Sequence, residues 1–286
     1  VTPARVIDSH IHLWDPTALD YPWLESEDEL RRPFLPAELR ARAGPSAWVM
    51  VQAEAQPDDE FAELEWVASL ASSEPALVGM VVRAPVEIGR AVAELVERLA
   101  DAPLTVGIRR LIQDEPVGFA QAEGFIDGVR AVGHAGLPFD VCVHAAQRGD
   151  VGPLVDACPD VSFVLDHLGK PAIAAGEWEP WRTQLAELAR RPNVTCKLSG
   201  STSEAGLGWK EATVRPYLLH ALEVFGPDRC MFGSDWPVAT MTTEYQRWHD
   251  LVDDLVAGCS QAETDAVFAG TATRVYSLPT SQDRRV

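Results

Sequence analysis

Arg5-Val6-Ile7-Asp8-Ser9-His10-Ile11-His12 is the first of eight short apolar runs rich in Val, Ile and Phe. The others lie at 47–54, 77–83, 106–112, 139–144, 162–167, 193–199 and 230–235. Each interval between runs is long enough for a helix to return the chain to a parallel neighbour. Helical spacing appears in those intervals: Phe61, Leu64, Val67 and Leu70; Val92, Leu95, Val96 and Leu99; Phe125, Ile126, Val129 and Val132, with Gly136 as a stop. The segment near 154–158 is short. Trp181, Leu185 and Leu188 follow the sixth run, Val214, Tyr217, Leu218, Ala221 and Leu222 the seventh, and Trp248, Leu251, Val252 and Leu255 the eighth. Asp58-Asp59 precedes the first of these helices, and Ser260 with Glu263 forms a capping box before the last. Eight such βα units define an α/β fold, a (β/α)8 TIM-like barrel, with residues 1–286 read as one domain. The interval at 14–44 holds four prolines, Tyr21, Trp23 and a charged run. It is too long for a simple connection and reads as a lid-like insertion over the mouth; the tail at 279–286 reads as frayed.

Composition narrows the function. The chain has 286 residues with 24 Lys+Arg against 43 Asp+Glu, a net charge of −19, and 47% hydrophobic residues. That balance argues against nucleic acid, whose binders need a basic patch. No run is apolar enough for a membrane span, and the N-terminal stretch lacks a signal-peptide pattern. Five dispersed cysteines without CxxC spacing read as buried free thiols in a reducing, cytoplasmic setting. The partner expected is a small molecule.

Barrels of this kind carry their chemistry at the C-terminal strand ends. Of seven histidines, His10, His12, His144 and His167 fall there; His134, His220 and His249 fall in helix patterns and read as packing or surface residues. Alternation puts His10 and His12 on one face with Asp8 below them, and Ile7 and Ile11 towards the helices. Two imidazoles on one strand suit a divalent metal, or a hydrogen-bonded mouth. Asp235 ends the eighth run, beside the first in a closed barrel; it can ligate a metal, take a proton from water, or cap a turn. Lys170, Lys197, Arg83 and Arg109 also lie at strand ends, where they orient substrate, stabilise an oxyanion, or pair internally with Glu54, Asp166 or Asp8. Arg110 points outward by alternation. Tyr21, Trp23 and Trp236 offer an apolar face for a sugar ring, or ordinary packing.

The motifs Ile7-Asp8-Ser9-His10-Ile11-His12-Leu13-Trp14-Asp15-Pro16, Tyr21-Pro22-Trp23-Leu24, Val51-Gln52-Ala53-Glu54, Leu165-Asp166-His167-Leu168-Gly169-Lys170-Pro171, Lys197-Leu198-Ser199-Gly200 and Met231-Phe232-Gly233-Ser234-Asp235-Trp236-Pro237 resemble the amidohydrolase superfamily, specifically the branch with fuconolactonase- and rhamnonolactonase-like enzymes. The resemblance runs along nearly the whole chain in order. It implies a lactonase-type hydrolase opening a sugar-derived lactone, with one divalent metal (Zn²⁺ or Mn²⁺) on His10, His12, His144 and Asp235. Glu54 is an extra candidate ligand or a partner for a nearby cation. The resemblance puts His167 against the bound water or the substrate carbonyl; the strand-end positions then make Asp235 the expected base and Arg109 and Lys170 the expected substrate-binding groups. No lysine ends the fourth or fifth run, so the resemblance does not extend to a carboxylated-lysine metal bridge. The branch also includes lactonases that keep the HxH and work without metal, so a metal-independent mechanism stays open. Decarboxylation of an unsaturated acid, hydrolysis of an amide or phosphoester, and sugar-acid binding without turnover are the rival readings.

Overall fold

A computed structural model describes residues 3–42, 45–56 and 60–279. Eight parallel strands form one sheet in chain order: β1 (Ile7–Ile11), β2 (Ala47–Val51), β3 (Leu77–Arg83), β4 (Thr105–Arg109), β5 (Phe139–Val141), β6 (Phe163–Leu165), β7 (Val194–Leu198) and β8 (Cys230–Phe232). The ends of β1 and β8 meet through backbone hydrogen bonds, Asp235 N–H to His10 O at 2.8 Å and His12 N–H to Trp236 O at 2.6 Å. The sheet thereby curls into the (β/α)8 barrel that the eight-fold pattern requires.

The helices follow the apolar spacing. They are α1 (Pro36–Arg42), α2 (Glu60–Ala71), α3 (Ala93–Ala100), α4 (Glu123–His134), α5 (Arg148–Ala157), α6 (Trp181–Ala189), α7 (Ser201–Ala205), α8 (Glu211–Phe225), α9 (Tyr245–Leu255), α10 (Gln261–Asp265) and α11 (Thr271–Val275). Ser260 and Glu263 close the expected capping box on α10. The Asp58-Asp59 start of α2 and residues 280–286 of the tail lie outside the described residues. The outer core packs strand residues such as Trp48, Met50, Ile108 and Phe139 against the helices. The inner core holds Ile7, Val49, Val51, Val164, Met231 and Tyr276.

One expectation about β1 fails. Its pairing with β2 runs Ile7↔Ala47 and Asp8↔Trp48 but Ile11↔Met50, so β1 carries one extra residue between Asp8 and Ile11. This bulge breaks the alternation. Ile7 joins the inner cluster, and Asp8 turns away from the histidines to accept from the Ser234 and His10 amides.

The 14–42 stretch packs as an ordered excursion. Trp14 and Phe34 exchange backbone hydrogen bonds, and the Trp14 indole donates to the Leu30 and Arg32 carbonyls. Elsewhere α4 approaches the residues after β3 so closely that a Cβ on Gly128 would collide with the Val86 carbonyl oxygen. Gly128→Ala is therefore expected to lower stability by about 1–3 kcal/mol, the usual cost of overpacking. A urea midpoint equal to wild type would contradict that close approach.

Candidate functional site

The mouth of the barrel holds a cavity of about 320 Å³ lined by residues including His12, Trp14, Trp23, Glu54, Arg109, Gln113, Asp114, Cys142, His167, Lys170 and Asp235. Backbone conformation helps to aim several of them. Glu54, His167, Lys170 and Asp235 all have positive φ, between 46° and 60°, which is unusual for residues with a Cβ. Each sits where a strand hands over to a loop, and local hydrogen bonds hold it: Glu54 N–H to Gln52 Oε1 at 2.7 Å, Lys170 N–H to His167 O at 2.8 Å. Gly200 makes room for His167, since a Cβ there would come within 2.5 Å of His167 Nδ1.

His10, His12 and Asp235 converge. His10 Nε2 and His12 Nε2 are 3.2 Å apart, and Asp235 Oδ1 is 3.8 Å from the first and 3.5 Å from the second. Ligands about 2.0–2.1 Å from a tetrahedral ion stand roughly 3.3 Å from one another, so the three atoms are spaced as a cation would need. His12 Nδ1 lies 2.7 Å from the Val51 carbonyl, which fixes the proton on Nδ1 and leaves Nε2 bare towards Asp235. Burial alone would raise the Asp235 carboxyl. Its neighbours His167, His12 and His10 outweigh that and hold it below the usual carboxylate range. The donor set therefore fits a divalent metal. A second grouping, His10, Asp166 and His167, shares one histidine with it. Among the described residues, His144 joins neither group: β5 ends at Val141, the chain then turns, and His144 is exposed. Cys142 is the group beyond β5 that reaches the cavity, and burial raises its thiol to about 11.

Beneath the mouth the barrel axis is charged. Lys197 is fully buried, with Nζ 2.6 Å from Asp140 Oδ2, 3.0 Å from Asp166 Oδ1 and 3.2 Å from His10 Nδ1. Tyr276 donates to Asp140 Oδ2 at 2.7 Å from below. Arg109 is committed to Asp166 Oδ2 at 3.2 Å and the Gln52 carbonyl at 2.7 Å, although it also faces the cavity. Lys197 and Arg109 thus take up the internal pairing that is one of their readings, while Lys170 reaches the cavity and donates to Gln113 Oε1 at 2.5 Å. His167 is buried, and burial drops its value to about 4, against the pull of Asp235 and Asp166. Its Nδ1 lies 2.9 Å from Ser199 Oγ. Arg110 pairs outward with Glu87 and Glu115, as alternation predicts.

Of the three aromatic residues expected around a ligand, only Trp23 lines the cavity, its indole tied to the Ala53 carbonyl at 2.7 Å. Trp14 stands edge-on to it, ring centroids 5.2 Å apart. Tyr21 is buried beside Glu63 and Asp15, and Trp236 is buried against Phe34. Glu54 lines the cavity and accepts from the Gln52 amide at 2.6 Å, outside both ligand groupings. Leu111, Gln113 and Trp14 were not singled out from the sequence, yet each continues the parity of an inward residue, Arg109 or His12.

With this geometry in place, the comparisons with known proteins are specific. The amidohydrolase family model matches residues 7–278, so the chain belongs to that family. It is 35% identical to an L-fucono-1,5-lactonase of Burkholderia multivorans (strain ATCC 17616 / 249), over 98% of each chain. It is 23% identical to an L-rhamnono-gamma-lactonase of Scheffersomyces stipitis, over 70% of this chain and 68% of that one. A crystal structure of a Burkholderia multivorans amidohydrolase with bound zinc superposes with a TM-score of 0.83 at 35% identity, covering 96% of this chain and 100% of that one.

Glu63 supports the β2 end from behind, its Oε1 accepting from the Ala53 amide at 2.9 Å. Burial raises its carboxyl from 4.5 to about 7, reinforced by Glu54 and opposed by the Ala53 amide, Arg109 and Arg83. A carboxyl raised by folding favours the folded state while protonated. The unfolded chain loses this proton first as pH rises, so stability falls between about pH 4.5 and 7, by roughly 3 kcal/mol in all. Glu63→Gln removes that dependence. The melting temperature of the variant relative to wild type should rise between pH 5 and pH 8; a difference constant with pH would contradict the raised carboxyl.

Proposed function

We propose that this chain opens a sugar-derived lactone to the sugar acid, with water activated by Asp235 beside a divalent ion held by His10, His12 and Asp235. The observation that carries the reading is the convergence of an ionised Asp235 with His10, His12 and His167 at one strand-end cavity of about 320 Å³, in a relative of lactonases. A metal bound there would polarise the lactone carbonyl or lower the pKa of water.

Each side chain then has a role that its surroundings permit. Asp235 accepts a proton from the attacking water as its oxygen bonds to the lactone carbonyl carbon. The ring C–O bond breaks as the tetrahedral centre collapses, and Asp235 returns the proton to the departing ring oxygen. His167 is kept neutral by burial. With the Ser199 hydroxyl on Nδ1, it keeps a proton on Nε2 for the developing oxyanion. Lys170, Gln113 and Glu54 are the polar groups that meet substrate hydroxyls, and Trp14 and Trp23 the flat wall for the ring. Arg109 lends its charge to the same side while bracing Asp166. The cavity suits a monosaccharide-sized ligand.

The test is an indicator assay for proton release over a panel of neutral aldonolactones, with elemental analysis of protein purified without chelator. Turnover on at least one lactone, with bound Zn²⁺ or Mn²⁺, is expected. Asp235→Asn should lower kcat at least about 100-fold, the range for loss of a general base, while circular dichroism stays native. Retained turnover in that variant would remove Asp235 from the chemistry. Silence across the panel, or release of CO₂ from an unsaturated acid, would overturn the lactone reading.

A further inference from the structure

We propose that Lys197 is a positioning residue that sets the tautomer of His10, and through it how tightly His10, His12 and Asp235 take a divalent cation. The inference rests on the ligand set proposed above but not on the lactone.

The argument is a proton count along the barrel axis. An ammonium group has three donors and no acceptor. Lys197 Nζ meets three acceptor positions, Asp140 Oδ2 at 2.6 Å, Asp166 Oδ1 at 3.0 Å and His10 Nδ1 at 3.2 Å, with no exposure to solvent. A nitrogen facing an ammonium must be bare, so His10 carries its proton on Nε2. That proton points to His12 Nε2, 3.2 Å away, which is bare because His12 Nδ1–H donates to the Val51 carbonyl at 2.7 Å. Lys197, His10, His12 and Val51 thus form one string in which every ring nitrogen is used once.

A cation on His10 Nε2 needs the opposite tautomer. The ring proton must then sit on Nδ1, where Asp166 Oδ1 is the acceptor within reach at 3.3 Å. That oxygen is buried and is held by Lys197 as an ion pair at 3.0 Å without an aligned hydrogen bond, so it can still accept from the ring, and Arg109 holds the other oxygen of the same carboxylate at 3.2 Å. Lys197 would turn its third proton away from the ring, keeping Asp140 and Asp166. Cation binding therefore carries a tautomer change that Lys197 opposes and Asp166 assists. Partners behind metal-bound histidines commonly change affinity by about 10–100-fold, so the effect is measurable.

Two measurements decide it. Long-range ¹H–¹⁵N correlation spectra of the wild-type protein, stripped of metal, should show His10 protonated on Nε2 and His12 on Nδ1. Added Zn²⁺ should move the His10 proton to Nδ1. A stripped protein with His10 already protonated on Nδ1 overturns the proposal. Calorimetric Zn²⁺ titration then compares wild type with Lys197→Met/Asp140→Asn, which removes the ammonium together with one carboxylate, and with Asp166→Asn. The double variant should bind Zn²⁺ about tenfold more tightly, and Asp166→Asn about tenfold more weakly. A merely structural lysine predicts equal or weaker binding in the double variant, and that result with a native circular dichroism spectrum counts against the proposal. If the double variant does not fold, the wild-type spectra decide alone. Wild-type protein that binds no Zn²⁺ refutes the ligand set instead, and lactone turnover enters neither readout.

Discussion

Two backbone hydrogen bonds, Asp235 N–H to His10 O and His12 N–H to Trp236 O, join the first and last strand ends, and the mouth of the barrel depends on them. They are ordinary amide bonds, yet they bring residues from opposite ends of the chain to within ligand spacing. The histidines and the carboxylate are therefore part of the seam rather than decorations on a finished barrel. This is why reactive groups at the end of the eighth strand can act with groups at the end of the first.

The axis below the seam is the less usual feature. A barrel interior is commonly filled by branched aliphatic side chains. Here Val49, Val164 and Met231 share that space with Lys197, Asp140, Asp166 and Arg109. Charges in so dry a place persist only when each is matched, and removing one partner of such a pair leaves an uncompensated buried charge. The match is close: Lys197 lies between two carboxylates, Arg109 braces one of them, and the Tyr276 hydroxyl steadies the other. Order at the mouth is thus inherited from order at the floor, through His10.

The sequence made the repeat legible because apolar period and helix spacing are strong local signals. Seven of the eight strands fall within the runs read from sequence and β4 begins one residue before its run, while α2, α3, α4, α6, α8 and α9 fall where the apolar faces were counted. What escaped depended on where a strand stops pairing. The bulge in β1 adds one residue without changing composition, so alternation misplaced Asp8 and Ile7. His144 has the right parity but lies beyond the end of β5, where the chain has already turned. Tyr21 and Trp236 are aromatic and near the mouth, yet what each packs against is a tertiary matter. The pairing of Lys197 with Asp140 could not be read at all, since β5 and β7 are not adjacent in the sheet.

The cavity rim also bears on the direction of traffic. Glu54 and Asp114 line it, in a protein whose net charge is −19. A neutral ring approaching such a rim feels no long-range force, so the field neither steers nor slows its entry. Opening the ring of a lactone makes a carboxylate, which the Arg109 and Lys170 charges at the cavity attract and the net charge of the whole protein repels once it has left. The surface charge thus acts on one side of the reaction only, as an electrostatic valve that discourages the acid from returning once it has left.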